Sequence, residues 1–164
     1  ADRGLTDIVA VDLSATRRRL AETVGAANSI DPAETSVWAE LSRLHGTAQV
    51  QFGTAPATSA YIEATGSSKM LTKIIDRAGR ASTICVVALH YEPVPVNFLS
   101  VLMKELTIRG SIEYPANFGD AIELLSRRDL SPLITQRYPL SEITSALEVL
   151  DSSRECGKVM IEMR

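Results

Sequence analysis

In four places along this chain an apolar run gives way to acidic, hydroxyl-bearing or small residues. Ile8 to Val11 ends in Asp12, Tyr61-Ile62 runs into Glu63-Ala64-Thr65-Gly66, Ser82 to Leu89 ends at His90, and Leu106 to Gly110 is followed by Ser111-Ile112-Glu113. A carboxylate at the end of such a run is a strong hydrogen-bond acceptor, for the first turn of a following helix or for the hydroxyls of a ligand. Asp12 is followed at once by Ser14 and the basic run Arg17-Arg18-Arg19. Metal chemistry has a weaker basis. His45, His90, Cys85 and Cys156 are the histidines and cysteines of the chain, and their spacing matches no ligand set. Two cysteines in different elements read as reduced thiols.

The elements that must position these residues follow from periodicity and caps. Ile8 to Asp12 reads as a strand, and Ser14 caps a helix carrying Leu20, Ala21 and Val24 that stops at Gly25. Ala27 to Ile30 is a short strand, and Asp31-Pro32-Ala33-Glu34 opens a helix bearing Val37, Trp38, Leu41 and Leu44. Gly46 to Thr58 shows no clear period and reads as a loop. Ser59 to Glu63 is a strand, Ser67 or Ser68 caps a helix with the stripe Met70, Leu71, Ile74, Ile75 and Ala78, and Ser82 to Leu89 has the pattern of a strand buried on both faces. Asn97 caps an apolar segment through Met103, Leu106 to Gly110 is a strand, and Asn117 caps a helix through Leu125. Leu133 to Tyr138 is extended, Ser141 opens a helix bearing Ile143, Ala146, Leu147 and Leu150, and Lys158 to Met163 is a last strand.

Repeated strand and helix units with apolar strands predict a doubly wound α/β fold, a parallel sheet covered on both faces. Ligands of such sheets bind beyond the carboxyl ends of the strands, where the four junctions fall. At 164 residues, 45% of them hydrophobic and 23% charged, one domain spanning 1–164 is expected. A formal net charge of -3 with scattered basic residues leaves no footprint for a nucleic acid. No stretch approaches the about 18 apolar residues of a membrane helix. The N-terminus is polar, so a cytoplasmic location is expected.

Ala1 to Leu5 has the form of a helix end, with Gly4 as the residue beyond the last turn. In a dinucleotide-binding fold the first strand and its G-x-G-x-x-G turn stand about 20 residues ahead of the ribose-binding acid. Eleven residues precede Asp12. The expectation is a Rossmann-like sheet that lacks its first strand and glycine-rich turn.

Read in order, Ile8 to Ala21 with Val24-Gly25-Ala26, Tyr61 to Gly66, Arg80 to Leu89, Pro93-Val94-Pro95 and Lys104 to Ser111 resemble the nucleotide-binding domain of zinc-type medium-chain dehydrogenases. The resemblance is especially to the sorbitol, threonine and butanediol dehydrogenase branch. Pro132 to Thr135, Tyr138-Pro139-Leu140, Ala146-Leu147 and Gly157-Lys158-Val159 resemble that family's closing segment. The resemblance implies a truncated NAD-binding Rossmann domain with a C-terminal tail, the N-terminal zinc-binding catalytic domain being absent. It places Asp12 on the adenosine ribose hydroxyls, Arg17 beside that ribose, and Thr65 and Gly66 in the turn beneath the adenosine. Val87 to Leu89 supply backbone for the nicotinamide carboxamide. Ser111, and more loosely Glu113, fall at further carboxamide contacts, and Lys158 at a basic position near the pyrophosphate. Relatives often carry glycine where Ala88 stands.

In the complete family NAD accepts hydride from an alcohol polarised by zinc, whose ligands come from the other domain. This chain is therefore expected to be the NAD-binding portion of an alcohol or polyol dehydrogenase, inactive alone, with NAD bound weakly or lost and no zinc held by its own residues. The alternative is a non-catalytic dimerisation module on the same scaffold. In the family the strand matching Leu106 to Gly110 pairs with its twin, which with Phe98 to Met103 implies a homodimer. A class I methyltransferase fragment, which also places an acid after its second strand, is a third reading.

Overall fold

The computed structural model describes residues 3–112, 117–153 and 155–163. Helices and short strands alternate along them, and the chain divides into two compact units, 1–37 with 117–164, and 38–116.

In the first unit, β1 (Val9–Val11) runs parallel to β2 (Asn28–Ile30), with Val9 opposite Asn28 and Val11 opposite Ile30. The crossover between them is α1 (Ala15–Thr23). Its start is fixed by Ser14, which has extended backbone and whose Oγ accepts from Arg17 N at 3.1 Å. It ends at Gly25, whose φ of 117° is open to glycine, and Ala26 N bonds back to Ala21 O at 2.9 Å. The expected helix start at Asp31 is corrected. Asp31 accepts from Ala33 N through its side chain and from Thr35 N through its carbonyl, closing an isolated turn. Helix α2 begins later, at Val37–His45, and all of it but its first residue belongs to the second unit. The capping chemistry is present but serves a turn, because Asp31 also pairs with Arg18 at 2.9 Å.

The second unit holds a hairpin and a three-stranded sheet. Gly46 to Thr58 is not a loop: β3 (Thr47–Val50) pairs antiparallel with β4 (Gly53–Pro56). Ala48, Val50 and Phe52 alternate with Thr47, Gln49 and Gln51, a period of two that the loop reading overlooks because the run is short and broken at Gly53. Next, β5 (Ala60–Glu63), β6 (Thr83–Val86) and, beyond α4, β7 (Thr107–Gly110) form a parallel sheet in the order β5-β6-β7. Its crossovers are α3 (Ser68–Arg77), capped by Ser67, and α4 (Phe98–Met103), capped by Asn97. The stripe on α3 faces inward as its spacing requires, with Leu71, Ile74 and Ile75 buried against a core that includes Ile84 and Tyr61. Strand β6 is shorter than the apolar run 82–89: it stops at Val86, and Val87 and Leu89 are exposed. The hydrophobicity of those two residues belongs to a surface turn at the strand's carboxyl end.

The first unit is completed by α5 (Phe118–Arg127), β8 (Ile134–Pro139), α6 (Ile143–Ser152) and β9 (Lys158–Glu162), with β8 parallel to β9. Asn117 precedes α5 but makes no side-chain capping bond. Helix α6 starts two residues after the expected Ser141, behind a short 3-10 turn. The mixed α/β architecture with parallel pairing and helical crossovers is the expected one.

Candidate functional site

The carboxyl end of β1 carries Asp12. Its backbone N donates to Ile30 O at 3.3 Å, continuing the ladder by one residue. Its Oδ1 accepts from Ser14 N at 2.8 Å, which sets the direction of the carboxylate. Among the described residues Oδ2 has no hydrogen-bond partner, so this oxygen keeps its full accepting capacity. The turn is held from behind by Arg18. Its Nη1 donates to Asp12 O at 2.7 Å and Leu13 O at 3.0 Å and pairs with Asp31 Oδ2, the two side chains each 16% exposed. A partly buried ion pair that also caps two carbonyls is a strong local clamp.

Arg17 is exposed, and its Nε donates to Cys156 O at 3.0 Å, tying α1 to the segment ahead of β9. Glu155 reinforces that tie by accepting from Thr16 N at 3.2 Å. Of the three consecutive arginines, sequence reasoning picked Arg17, whereas Arg18 is the one that shapes the acid's turn. The missed signal is spacing: Arg18 lies four residues after Ser14, on the face of α1 that looks back at the strand end. Lys158 is exposed at the start of β9, beside a shallow concavity of about 650 Å³ that Arg128 and Ser131 also line.

In the second unit, the turns after β5, β6 and β7 converge. Glu63, the last residue of β5, is 1% exposed. Its Oε1 accepts from Thr65 N at 2.8 Å and from the Thr65 hydroxyl, and its Oε2 lies 2.8 Å from His90 Nε2. Burial pushes this carboxyl's pKa up, but the hydrogen bonds from Thr65 and His90 and the charge of His90 outweigh it and leave the pKa below the ordinary value. Glu63 is therefore an ionised, acceptor-only group, and His90 Nε2 carries the hydrogen that joins them.

The carbonyl of Glu63 works with its side chain. It accepts from Val87 N at 2.9 Å and from Ala88 N at 3.3 Å, so one residue holds both ends of segment 87–90. Gly66 closes the arrangement. It has φ of 69°, and a Cβ there would stand 2.9 Å from Leu89 O, which requires glycine on both counts. Ser111 N donates to Val86 O at 3.0 Å and brings the third turn alongside. Val87, Leu89, Ser111 and Ile112 line an open cleft of about 510 Å³. Thr65 and Gly66 border the same turns. The five sequence-derived candidates of this unit thus gather at one end of the sheet, and Ile112 and His90 join them. Glu113 lies outside the described residues.

Among the described residues no group of three or more His, Cys, Asp or Glu side chains is placed to hold a metal ion. Cys85 and Cys156 are both free thiols. No helix of the described residues is long and apolar enough to cross a membrane.

With this geometry in hand, comparison with known proteins gives a consistent result. The family model described as "Zinc-binding dehydrogenase" matches residues 2–127. An L-threonine 3-dehydrogenase from Saccharopolyspora erythraea is 27% identical over 162 residues, 97% of this chain and 45% of that protein. An (R,R)-butanediol dehydrogenase from Neisseria gonorrhoeae is 30% identical over 141 residues, 84% of this chain and 38% of that protein. The chain thus spans less than half the length of these relatives. Among solved structures, an alcohol dehydrogenase from E. coli CFT073, complexed with cofactor NADH, superposes with a TM-score of 0.79 at 22% identity, covering 94% of this chain and 44% of that one.

Proposed function

Because the chain belongs to the zinc-binding dehydrogenase family, we propose that it is the NAD-binding portion of an alcohol or polyol dehydrogenase. The observation that carries this reading is Asp12, a strand-end carboxylate with one oxygen held by Ser14 N and the other turned to no partner among the described residues. Such an acid accepts hydrogen bonds from a ribose diol and repels a 2′-phosphate, which selects NAD over NADP. NAD supplies the hydride acceptor when bound; the protein's part is recognition.

The residues fit that cofactor in each unit taken by itself. In the first, Asp12 receives the ribose hydroxyls and Arg17, through the guanidinium nitrogens that Cys156 O does not engage, sits beside the same sugar. In the second, Thr65 and Gly66 form a turn in which Gly66 leaves no room for a side chain, because the Leu89 carbonyl packs there. Val87, Leu89 and Ser111 present a concave, half-apolar surface with backbone groups at its rim, suited to a nicotinamide ring and its carboxamide.

NADH fluorescence titration of the chain tests the reading. Saturable binding with displacement by NAD is the expected result, and an unquenched, unshifted signal at millimolar NAD would remove the cofactor claim while leaving family membership intact.

A second reading, self-association, is favoured by a different observation. All four residues of β7 are exposed, and on α4 and just beyond β7 Phe98 (74%), Leu102 (72%) and Ile112 (73%) are exposed as well. Among the described residues β7 pairs only with β6, so one edge offers unpaired backbone groups beside apolar side chains. A second copy of the chain, adding its own β7 across a two-fold axis, would satisfy both. Sedimentation should give a dimer; a monomer that persists at the highest attainable concentration rejects this surface.

A further inference from the structure

We propose that His90, acting through Glu63, is a positioning residue for the Val87–Leu89 turn, and that it sets how tightly the nicotinamide end of the cofactor is held; this rests on the NAD reading above. Three observations in the second unit carry it. The Glu63 carboxylate is fully enclosed and its two oxygens are divided, one to Thr65 and one to His90. The Glu63 carbonyl holds the Val87 and Ala88 amides. His90 lies one residue beyond Leu89, so its bond to Glu63 closes a loop whose other end is the Val87 amide, with Ala88 and Leu89 inside it.

Ala88 is where the consequence falls. Its amide bond to Glu63 O is long, 3.3 Å, and the exposed side chains of Val87 and Leu89 contribute little packing to fix the turn. The second anchor at His90 therefore restrains the peptides of residues 88 and 89. The residue before it, Leu89, places its carbonyl beside Gly66, where the clearance is too small for any Cβ. Loss of the His90 hydrogen would free the Leu89 carbonyl and leave a buried carboxylate oxygen unsatisfied. Thr65 and the β5-β6 ladder would remain. The effect is thus local to the cleft lined by Val87, Leu89, Ser111 and Ile112 rather than spread over the fold.

The experiment compares the unaltered chain with His90→Ala and His90→Gln, using amide hydrogen exchange without ligand and titration with NADH and with ADP-ribose. Gln offers an amide N–H in place of Nε2. In His90→Ala, exchange at Ala88 and Leu89 should quicken, and NADH affinity should fall about tenfold, the scale of one hydrogen bond to a charged group. ADP-ribose, which has no nicotinamide, should bind unchanged, and His90→Gln should restore most of the NADH affinity. A general structural role would weaken both ligands together, and that result overturns the proposal. So do unchanged exchange and unchanged NADH affinity in His90→Ala. An unaltered chain that binds neither ligand defeats the NAD reading itself and this inference with it, whereas binding by the unaltered chain that His90→Ala leaves intact defeats the inference alone.

Discussion

Lowering the pH from neutrality is expected to destabilise the protein steeply below the ordinary glutamate value of 4.5, with Glu63 a principal contributor. Its folded-state pKa lies below its unfolded one, so the folded form binds fewer protons at Glu63 and gains stability wherever the group is ionised. That contribution is complete above the unfolded value and is lost as the pH falls through the folded one. Glu63→Gln removes the charge while keeping the side-chain volume. Its amide oxygen can accept from Thr65 or from His90 but not from both with ionic strength, and its NH2 would face a donor. The expected cost at pH 7 is about 2 kcal/mol, in the range for hydrogen bonds to a charged group. The diagnostic is the shape of the curve: urea midpoints measured from pH 7 to pH 3 should fall less for Glu63→Gln than for the unaltered chain. Parallel curves would show that Glu63 does not titrate with folding. A variant unfolded at every pH would indicate that the carboxylate is indispensable to the second unit, a larger effect in the same direction.

The parts of this structure that could be read in advance are those set by neighbours in the chain. Ser14, Ser67 and Asn97 each cap the helix that follows them, because a hydroxyl or amide three residues before a free N–H reaches it without help from the rest of the fold. The stripe from Met70 to Ala78 faces the core for an equally local reason, the 3.6-residue turn. The misread elements are of other kinds. Asp31 carries a helix-capping signature, but Arg18, thirteen residues earlier, engages its carboxylate and the chain turns instead. The hairpin at 47–56 does carry a local signal, Ala48, Val50 and Phe52 alternating with Thr47, Gln49 and Gln51, but each strand is only four residues long, and a reading of the segment as a loop overlooks it. Val87 and Leu89 look like the end of a buried strand because hydrophobicity alone does not tell a core position from an exposed one.

The same division holds for the site. Asp12 in the first unit, and Thr65, Gly66, Val87, Leu89 and Ser111 in the second, follow the carboxyl ends of parallel strands, a placement that needs only the strands to be located. His90 stands at a strand-end junction in the sequence, but nothing in the sequence pairs it with Glu63. Its bond to Glu63 depends on the β5-β6 register, which sets Glu63 opposite Val86 and so delivers a residue four positions later to the carboxylate. Arg18 likewise becomes visible as the clamp on the Asp12 turn only once α1 folds back on β1. Long-range pairs of this kind leave no periodic trace, yet they decide how rigid the strand-end turns are.

Asp12→Asn should cost NADH affinity by about 10- to 100-fold, the span that 1.5–3 kcal/mol for charged hydrogen bonds converts to at roughly 1.4 kcal/mol per decade. The substitution is chosen for what it preserves. The amide oxygen can still accept from Ser14 N, so the start of α1 and its clamp by Arg18 stay in place and the melting temperature should move little. What changes is the second position, where an NH2 group replaces the carboxylate oxygen that meets no partner among the described residues. It donates where the ribose diol also donates, and it no longer repels a 2′-phosphate. NADPH affinity should therefore hold steady or rise, and the NADH to NADPH preference should narrow from both sides. Fluorescence titration of both cofactors against both proteins measures the ratio directly. A loss of equal size for the two cofactors would mean that Asp12 acts only as a brace for its turn. Unchanged NADH binding would remove the strand-end acid from recognition altogether and, with it, the observation on which the NAD assignment stands.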